Sequence, residues 1–329
     1  MRLLIYEKSF RRIEAEIAAH GSAVEPLFMS DAGEITLAGR PVSADEARPE
    51  AGWANADVFF SPASRPYMVT LLKSPALKWV QSGAAGFDDP VFGQIVQKGA
   101  RLTTSHGQAL GMAEYVLAGV LDAFQDGPAR RAAQAAHEWK RRPFREIMGS
   151  RWLVIGFGAI GQGVAERAKA FGAHVTGVRR NPAPHPAADR MATAADLPAL
   201  LPEADVVVLC CPLTAETRHV ADTAFFAAMK PRSVLVNVGR GGLVDEAALL
   251  GALNRGIPER AILDVFETEP LPGDSPFWDH PRVTLTPHSS GMSAGNAPRN
   301  DRLFLDNLAR YLNGQPLLNE AKREDVLAG

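Results

Sequence analysis

Trp152-Leu153-Val154-Ile155-Gly156-Phe157-Gly158-Ala159-Ile160-Gly161 is an apolar run that ends in a GxGxxG turn. The run has the length and composition of a buried strand, and the residues after the turn carry a helical pattern as far as Phe171. In a strand–turn–helix unit of this kind each glycine has its own task. The first makes the tight turn, the second lets the backbone approach a pyrophosphate, and the third lets helix and strand pack closely. The helix N-terminus then offers N–H groups to an anion. Packing alone would also explain three glycines, but the strand before them and the helix after them favour phosphate binding. The candidate cofactor positions here are Gly156, Gly158, Ala159, Ile160 and Gly161.

Working outward, the alternation of short apolar runs with helical patterns continues. Strands are predicted over 152–155, 174–178, 206–210, 234–238, 261–265 and 283–286, with helices over 160–171, 194–200, 223–229 and 246–254. Six strands with intervening helices predict an α/β, doubly wound parallel sheet that binds a dinucleotide. A long helix over 109–124 precedes it, followed by an Arg-rich polar stretch that includes Lys140, Arg141 and Arg142, read as solvated. Earlier still, strands are expected over 2–6, 56–60 and 77–81 and helices over 10–19 and 66–72, so the first hundred residues are also α/β. A helix over 300–312 carries Leu and Phe on one face and is expected to pack back on this first part. The resulting expectation is a dinucleotide-binding domain over 105–291 and a discontinuous second domain over 1–104 plus 292–329.

Composition agrees with such a fold. The 329 residues are enough for about two domains at ~100–200 residues each. Hydrophobic residues make up 46% and charged residues 22%, which excludes a disordered chain. Lys plus Arg number 35 against 37 Asp plus Glu, a net charge of -2 that argues against nucleic-acid or membrane-surface partners. The two cysteines, Cys210 and Cys211, are adjacent, so no disulfide framework and no metal site is expected. The opening residues carry too short an apolar run for a signal peptide or a membrane span, so a cytoplasmic location is expected.

The end of the second strand of a dinucleotide-binding sheet selects the cofactor. A carboxylate there accepts hydrogen bonds from the ribose hydroxyls. This chain has Val178-Arg179-Arg180-Asn181, and two guanidiniums suit a 2′-phosphate, so NADP(H) is favoured over NAD(H). Ligands of an open α/β sheet bind beyond the carboxyl ends of its strands. Three polar residues follow three such ends: Arg240, Glu269 and His288. Reducing a ketone needs a proton donor at its oxygen, and histidine titrates in the right range. A carboxylate beside it orients the ring and stabilises the protonated form. An arginine can hold a substrate carboxylate in bidentate fashion and polarise the neighbouring carbonyl. Each has a structural alternative, a turn cap or a surface pair, but their joint placement points to catalysis.

These segments, 156–161, 237–246, 263–272 and 286–291, with Pro212-Leu213-Thr214-Ala215-Glu216-Thr217 and Gly83-Ala84-Ala85-Gly86-Phe87-Asp88, resemble the D-isomer-specific 2-hydroxyacid dehydrogenase family. At Arg179-Arg180 the chain resembles the NADP(H)-linked glyoxylate and hydroxypyruvate reductases of that family. The resemblance implies a Rossmann domain with a smaller flavodoxin-like α/β domain, and Arg240, Glu269 and His288 as catalytic residues. It implies further cofactor contacts at Cys211, Pro212, Thr217, Val238 and Gly239, with Asp264 beside the nicotinamide carboxamide. Backbone N–H groups of Ala84, Ala85 and Gly86, together with Arg240, would bind the carboxylate of a small 2-oxo acid. A homodimer is implied by the family alone. Trp53, Tyr67 and Trp139 are candidate pocket walls, with a core role as the alternative for each. The rival readings are an NAD(H)-responsive regulatory protein on the same fold, and a formate or phosphite dehydrogenase. Formate needs no proton donor, so the Glu–His pair disfavours it.

Overall fold

The computed structural model describes every residue except Asp88 and Gly329. The chain divides into two compact units, Met1–Gln108 with Ala294–Gly329, and Ala109–Ser293.

The first unit contains strands β1 (Arg2–Tyr6), β2 (Glu25–Met29), β3 (Ile35–Leu37), β4 (Arg40–Val42), β5 (Ala51–Ala54), β6 (Trp79–Ser82) and β7 (Arg101–Thr103). Their order is β4-β3-β2-β1-β5-β6-β7. The five strands from β2 to β7 in that order are parallel, while β3 and β4 add an antiparallel edge. A 2-1-3-4-5 order of parallel strands is the flavodoxin-like arrangement. The helix Asn296–Leu312 belongs to this unit. Its Phe304 stacks on Trp53 at 4.3 Å, and its buried Asn307 donates to Gln81 Oε1 at 2.8 Å. Trp53 and Tyr67 are both fully buried, so they are core. Tyr67 donates to the Leu4 carbonyl and accepts from the Trp53 N–H, tying β1 to β5.

The strand expected over 56–60 is instead the helix Ala56–Phe59, and the strand lies just before it at Ala51–Ala54. The Asn55 side chain accepts the Val58 N–H and starts the helix. The real strand is inconspicuous because three of its four residues, Ala51, Gly52 and Ala54, are small. A Cβ on Gly52 would come within 2.6 Å of the Leu71 side chain. The helix expected over 10–19 is interrupted between Phe10 and Glu14, leaving two short helices.

The second unit contains β8 (Arg151–Ile155), β9 (His174–Val178), β10 (Arg190–Ala192), β11 (Val206–Leu209), β12 (Val234–Asn237), β13 (Arg260–Leu263) and β14 (Val283–Leu285). The order β10-β9-β8-β11-β12-β13-β14 is parallel throughout. Counted within the unit this is 3-2-1-4-5-6, the doubly wound dinucleotide-binding order, extended by one strand. The sequence predicts six of these strands. The seventh, β10, is a three-residue edge whose only buried residue is Ala192, so it has little hydrophobic signal.

Both sheet faces are covered, which is why the strands read as continuous apolar runs. Val206 and Val208 face one core with Trp152, Val164 and Val116, while Val207 and Leu209 face the other with Phe225, Leu249 and Leu263. Each such side chain contributes roughly 1.5–3 kcal/mol by leaving water. The helix Ala109–Phe124 has the bounds expected from sequence and packs on the helix Ala159–Ala170. Among the described residues no helix is long and apolar enough to cross a membrane.

Candidate active site

The glycine turn assigns each glycine a distinct role. Gly156 has φ +102°, and a Cβ there would lie 2.3 Å from the Cys211 nitrogen. At Gly161 a Cβ would lie 2.2 Å from the Gly156 carbonyl oxygen. At Gly158 a Cβ would meet nothing within 4 Å. Two glycines are therefore required by the protein's own packing, and the middle one borders open space. The helix that follows has no side-chain cap at Gly158. Among the described residues the N–H groups of Gly158, Ala159 and Ile160 carry no hydrogen bond. An open cradle with unpaired donors at a helix N-terminus fits a pyrophosphate.

Three neighbouring strands present the three polar residues. At the end of β12, the buried Asn237 donates to the Arg240 carbonyl at 2.9 Å and accepts the Gly239 N–H at 3.1 Å, shaping the turn that carries Arg240. Gly241 presses this turn against the segment beyond β13, where a Cβ would lie 1.8 Å from the Phe266 carbonyl carbon. Glu269 sits in that segment and accepts the Phe266 N–H at 3.0 Å. Its other carboxylate oxygen is 2.7 Å from His288 Nδ1. The pair uses Nδ1, so Nε2 is the atom that can meet a substrate oxygen. His288 has φ +50°, a left-handed conformation uncommon for a side-chain-bearing residue.

In the first unit, β6 runs into the Gly83 loop. The Ala84 N–H already donates to Ser82 Oγ at 3.1 Å, so it is not one of the free donors expected there. Among the described residues the N–H groups of Ala85 and Gly86 have no hydrogen-bond partner. Asp88, the last residue of that motif, lies outside the described residues.

Residues 117–290 match the model of the NAD binding domain of D-isomer specific 2-hydroxyacid dehydrogenases. This chain belongs to that family. It is 37% identical over 239 residues to D-3-phosphoglycerate dehydrogenase of Mycobacterium tuberculosis, a stretch covering 72% of this chain and 44% of that one. The chain thus spans less than half the length of those dehydrogenases. It is 35% identical over 260 residues to glyoxylate/hydroxypyruvate reductase B of Pectobacterium atrosepticum, covering 74% of this chain and 79% of that one. The structure of an NADPH-dependent glyoxylate/hydroxypyruvate reductase from Sinorhizobium meliloti, in complex with NADP and sulfate, superposes with a TM-score of 0.77. It is 26% identical and covers 99% of both chains.

The other residues expected of a 2-hydroxyacid dehydrogenase are placed as follows. Arg179 and Arg180 are exposed directly after β9. Thr217 donates to the Pro212 carbonyl at 2.7 Å and accepts the Thr214 N–H at 2.8 Å, closing its own loop. The Val238 side chain is buried in the core, so only its backbone can face a ligand. Gly239 lies close to the Cys211 carbonyl, where a Cβ would come within 3.0 Å. Burial pushes the Cys211 thiol up to about 11 and the Cys210 thiol higher still, so neither supplies a thiolate. Asp264, expected beside the carboxamide, is 1% exposed and already accepts three hydrogen bonds from Thr286, Ser289 and Ser290. Trp139 is 97% exposed and belongs to no core. Among the described residues no group of His, Cys, Asp and Glu is placed to hold a metal ion.

A second histidine–carboxylate pair escaped the sequence reading. His219 Nε2 lies 2.7 Å from Glu267 Oε1, and Glu246 accepts the Glu267 N–H at 2.8 Å. Burial raises Glu246, and the neighbouring Glu267 adds to the rise. The pair forms between a loop and a strand end remote in sequence, so no spacing rule announces it.

The glycine geometry makes a paired prediction. Gly158→Ala leaves the melting temperature near that of the parent but weakens cofactor binding, because the new methyl occupies open space where phosphate would approach. Gly161→Ala forces backbone apart and destabilises the fold by about 1–3 kcal/mol, the usual cost of overpacking. Calorimetry and cofactor titration of both variants check this. Equal melting losses, or undiminished cofactor affinity in Gly158→Ala, would contradict the assignment.

Proposed function

We propose that this protein is an NADPH-dependent reductase of small 2-oxo acids of the glyoxylate or hydroxypyruvate type, yielding the D-2-hydroxy acid. The observation that carries the reading is the 2.7 Å pairing of His288 Nδ1 with Glu269, which leaves Nε2 for a substrate oxygen. Support comes from the open glycine cradle, from the two arginines after β9, and from relatives named as glyoxylate/hydroxypyruvate reductases. In this reading the unit Ala109–Ser293 is the dinucleotide-binding domain and the other unit the substrate-binding domain.

When bound, the reduced nicotinamide supplies a hydride to the carbonyl carbon. The carbonyl's π pair moves onto oxygen, and His288 Nε2 delivers the proton that oxygen needs. Glu269 keeps the ring in place through Nδ1. Arg240 holds the carboxylate and polarises the carbonyl. Gly158, Ala159 and Ile160 would hold the pyrophosphate, and Arg179 and Arg180 the 2′-phosphate.

A second reading, oxidation of a phosphorylated 2-hydroxy acid, draws on the 37% identity to mycobacterial D-3-phosphoglycerate dehydrogenase. A panel of 2-oxo acids and of 3-phosphoglycerate, assayed with NADPH and NADH by nicotinamide absorbance, separates the two. Turnover of none of them points to a binding or regulatory protein. Sedimentation tests the homodimer that the family implies.

Arg240→Lys keeps the charge and loses the planar fork. The expected result is a higher KM for the 2-oxo acid and a lower kcat, with NADPH affinity little altered. Kinetics identical to the parent would remove Arg240 from the site.

A further inference from the structure

The proton donor stands at the apex of a turn, residues 286–290, that wraps around a buried carboxylate. Asp264 Oδ1 accepts the Thr286 hydroxyl at 2.5 Å and the Ser289 N–H at 2.8 Å, and Oδ2 accepts the Ser290 N–H at 3.0 Å. The Asp264 carbonyl accepts the His288 N–H at 2.8 Å. This wrapping holds His288 in its left-handed conformation. A residue held in a sparsely populated region persists only where its surroundings over-determine it.

One further side chain joins the set from a distant element. Tyr115, on the helix Ala109–Phe124, lies 2.7 Å from Thr286 Oγ1. The Thr286 hydroxyl has a single proton and spends it on Asp264, so the Tyr115 hydroxyl must be the donor to Thr286. The chain of donors therefore runs one way, from Tyr115 to Thr286 to the Asp264 carboxylate, and bonds in such a chain strengthen one another. Burial, with the Asp264 charge adding to it, raises the Tyr115 phenol, which keeps its proton available.

We infer that Tyr115 and Thr286 are positioning residues for the proton donor, acting through Asp264 to fix the turn that aims His288. The inference rests on the reading of His288 as the acid in 2-oxo acid reduction. It assigns the Asp264 carboxylate to the turn and gives a role to a tyrosine that makes no part of the glycine turn or of the Arg–Glu–His set.

The test compares the parent enzyme with Tyr115→Phe, Thr286→Val and Thr286→Ser. Steady-state rates with the best 2-oxo acid are measured beside NADPH affinity by fluorescence titration. Tyr115→Phe is expected to lower kcat by a factor of about ten, the worth of one ordinary hydrogen bond, with KM and NADPH affinity nearly unchanged. Thr286→Val lowers kcat further, and Thr286→Ser, which keeps the hydroxyl, recovers most of the loss. Parent-like kcat in both Tyr115→Phe and Thr286→Val overturns the inference. So does a Thr286→Ser enzyme as damaged as the valine variant, because that outcome reports packing of the methyl group. The imidazole NMR line of His288, assigned by its disappearance in His288→Ala, supplies a readout without turnover. It must move in Tyr115→Phe, and an unmoved line overturns the inference. If the parent turns over no 2-oxo acid, the reading of the substrate fails, and the NMR line still decides whether Tyr115 positions His288.

Discussion

His288→Ala removes most turnover in both directions, by roughly 10²–10⁴-fold, while the protein still binds NADPH. The separation follows from the architecture. The donors proposed for the pyrophosphate are the Gly158, Ala159 and Ile160 N–H groups beyond β8, whereas His288 follows β14, at the far edge of the same sheet. The direction of the pH dependence follows from the chemistry. Reduction consumes a proton from the ring, so it falls as pH rises and the ring loses that proton. Oxidation needs the neutral ring, so it falls as pH drops. The Glu269 carboxylate, 2.7 Å from Nδ1, holds the ring and leaves Nε2 for the substrate oxygen. Glu269→Gln lets an amide NH2 turn toward Nδ1 and loosens that hold, so kcat/KM falls in both directions while NADPH affinity is kept. Measuring kcat/KM against pH in both directions, for the parent and for Glu269→Gln, checks this. Undiminished kcat/KM in Glu269→Gln, or near-native turnover in His288→Ala, would show that the acid–base pair is misassigned.

The unevenness of what could be read from sequence has physical causes. The second unit was legible because its strands are buried on both faces and therefore read as unbroken apolar runs, such as Val206–Leu209. Its edge strand Arg190–Ala192 was not, since a short edge buries little. In the first unit the strand Ala51–Ala54 depends on small residues that let helices approach, and smallness carries no periodic signal. The hairpin of β3 and β4 is equally quiet, with Pro41 and exposed Arg40 in its outer strand. Arg240, Glu269 and His288 could be picked out as candidates because strand ends are where a parallel sheet places its chemistry. Tyr115 could not, because its partner Thr286 is brought to it only by the stacking of a helix on the sheet. The hydrogen bonds of the Asp264 carboxylate were hidden for the same reason: their donors come from a turn that follows a later strand.

Replacing Arg179 and Arg180 together by Ala is expected to lower kcat/KM with NADPH at least tenfold and to leave NADH nearly unchanged. Both side chains are exposed directly after β9, the strand whose end borders the adenosine ribose in a doubly wound dinucleotide fold. A hydrogen bond to a charged group contributes roughly 1.5–3 kcal/mol, and each 1.4 kcal/mol is about a factor of ten. Because solvent and salt screen exposed charges, the lower end of that range is the appropriate expectation for each guanidinium. The same screening adds a second signature. In the parent, KM for NADPH should rise with ionic strength more steeply than KM for NADH, since only NADPH carries the 2′-phosphate. In the double variant the two salt dependences should converge. The backbone of this segment gives a reason to expect the fold to survive the change, because the Arg179 N–H donates to the Ala192 carbonyl at 3.1 Å and no side chain is needed for that bond. Equal losses with both cofactors would mean that the arginines serve the fold or the general electrostatic field, and the preference for NADPH would have to be abandoned.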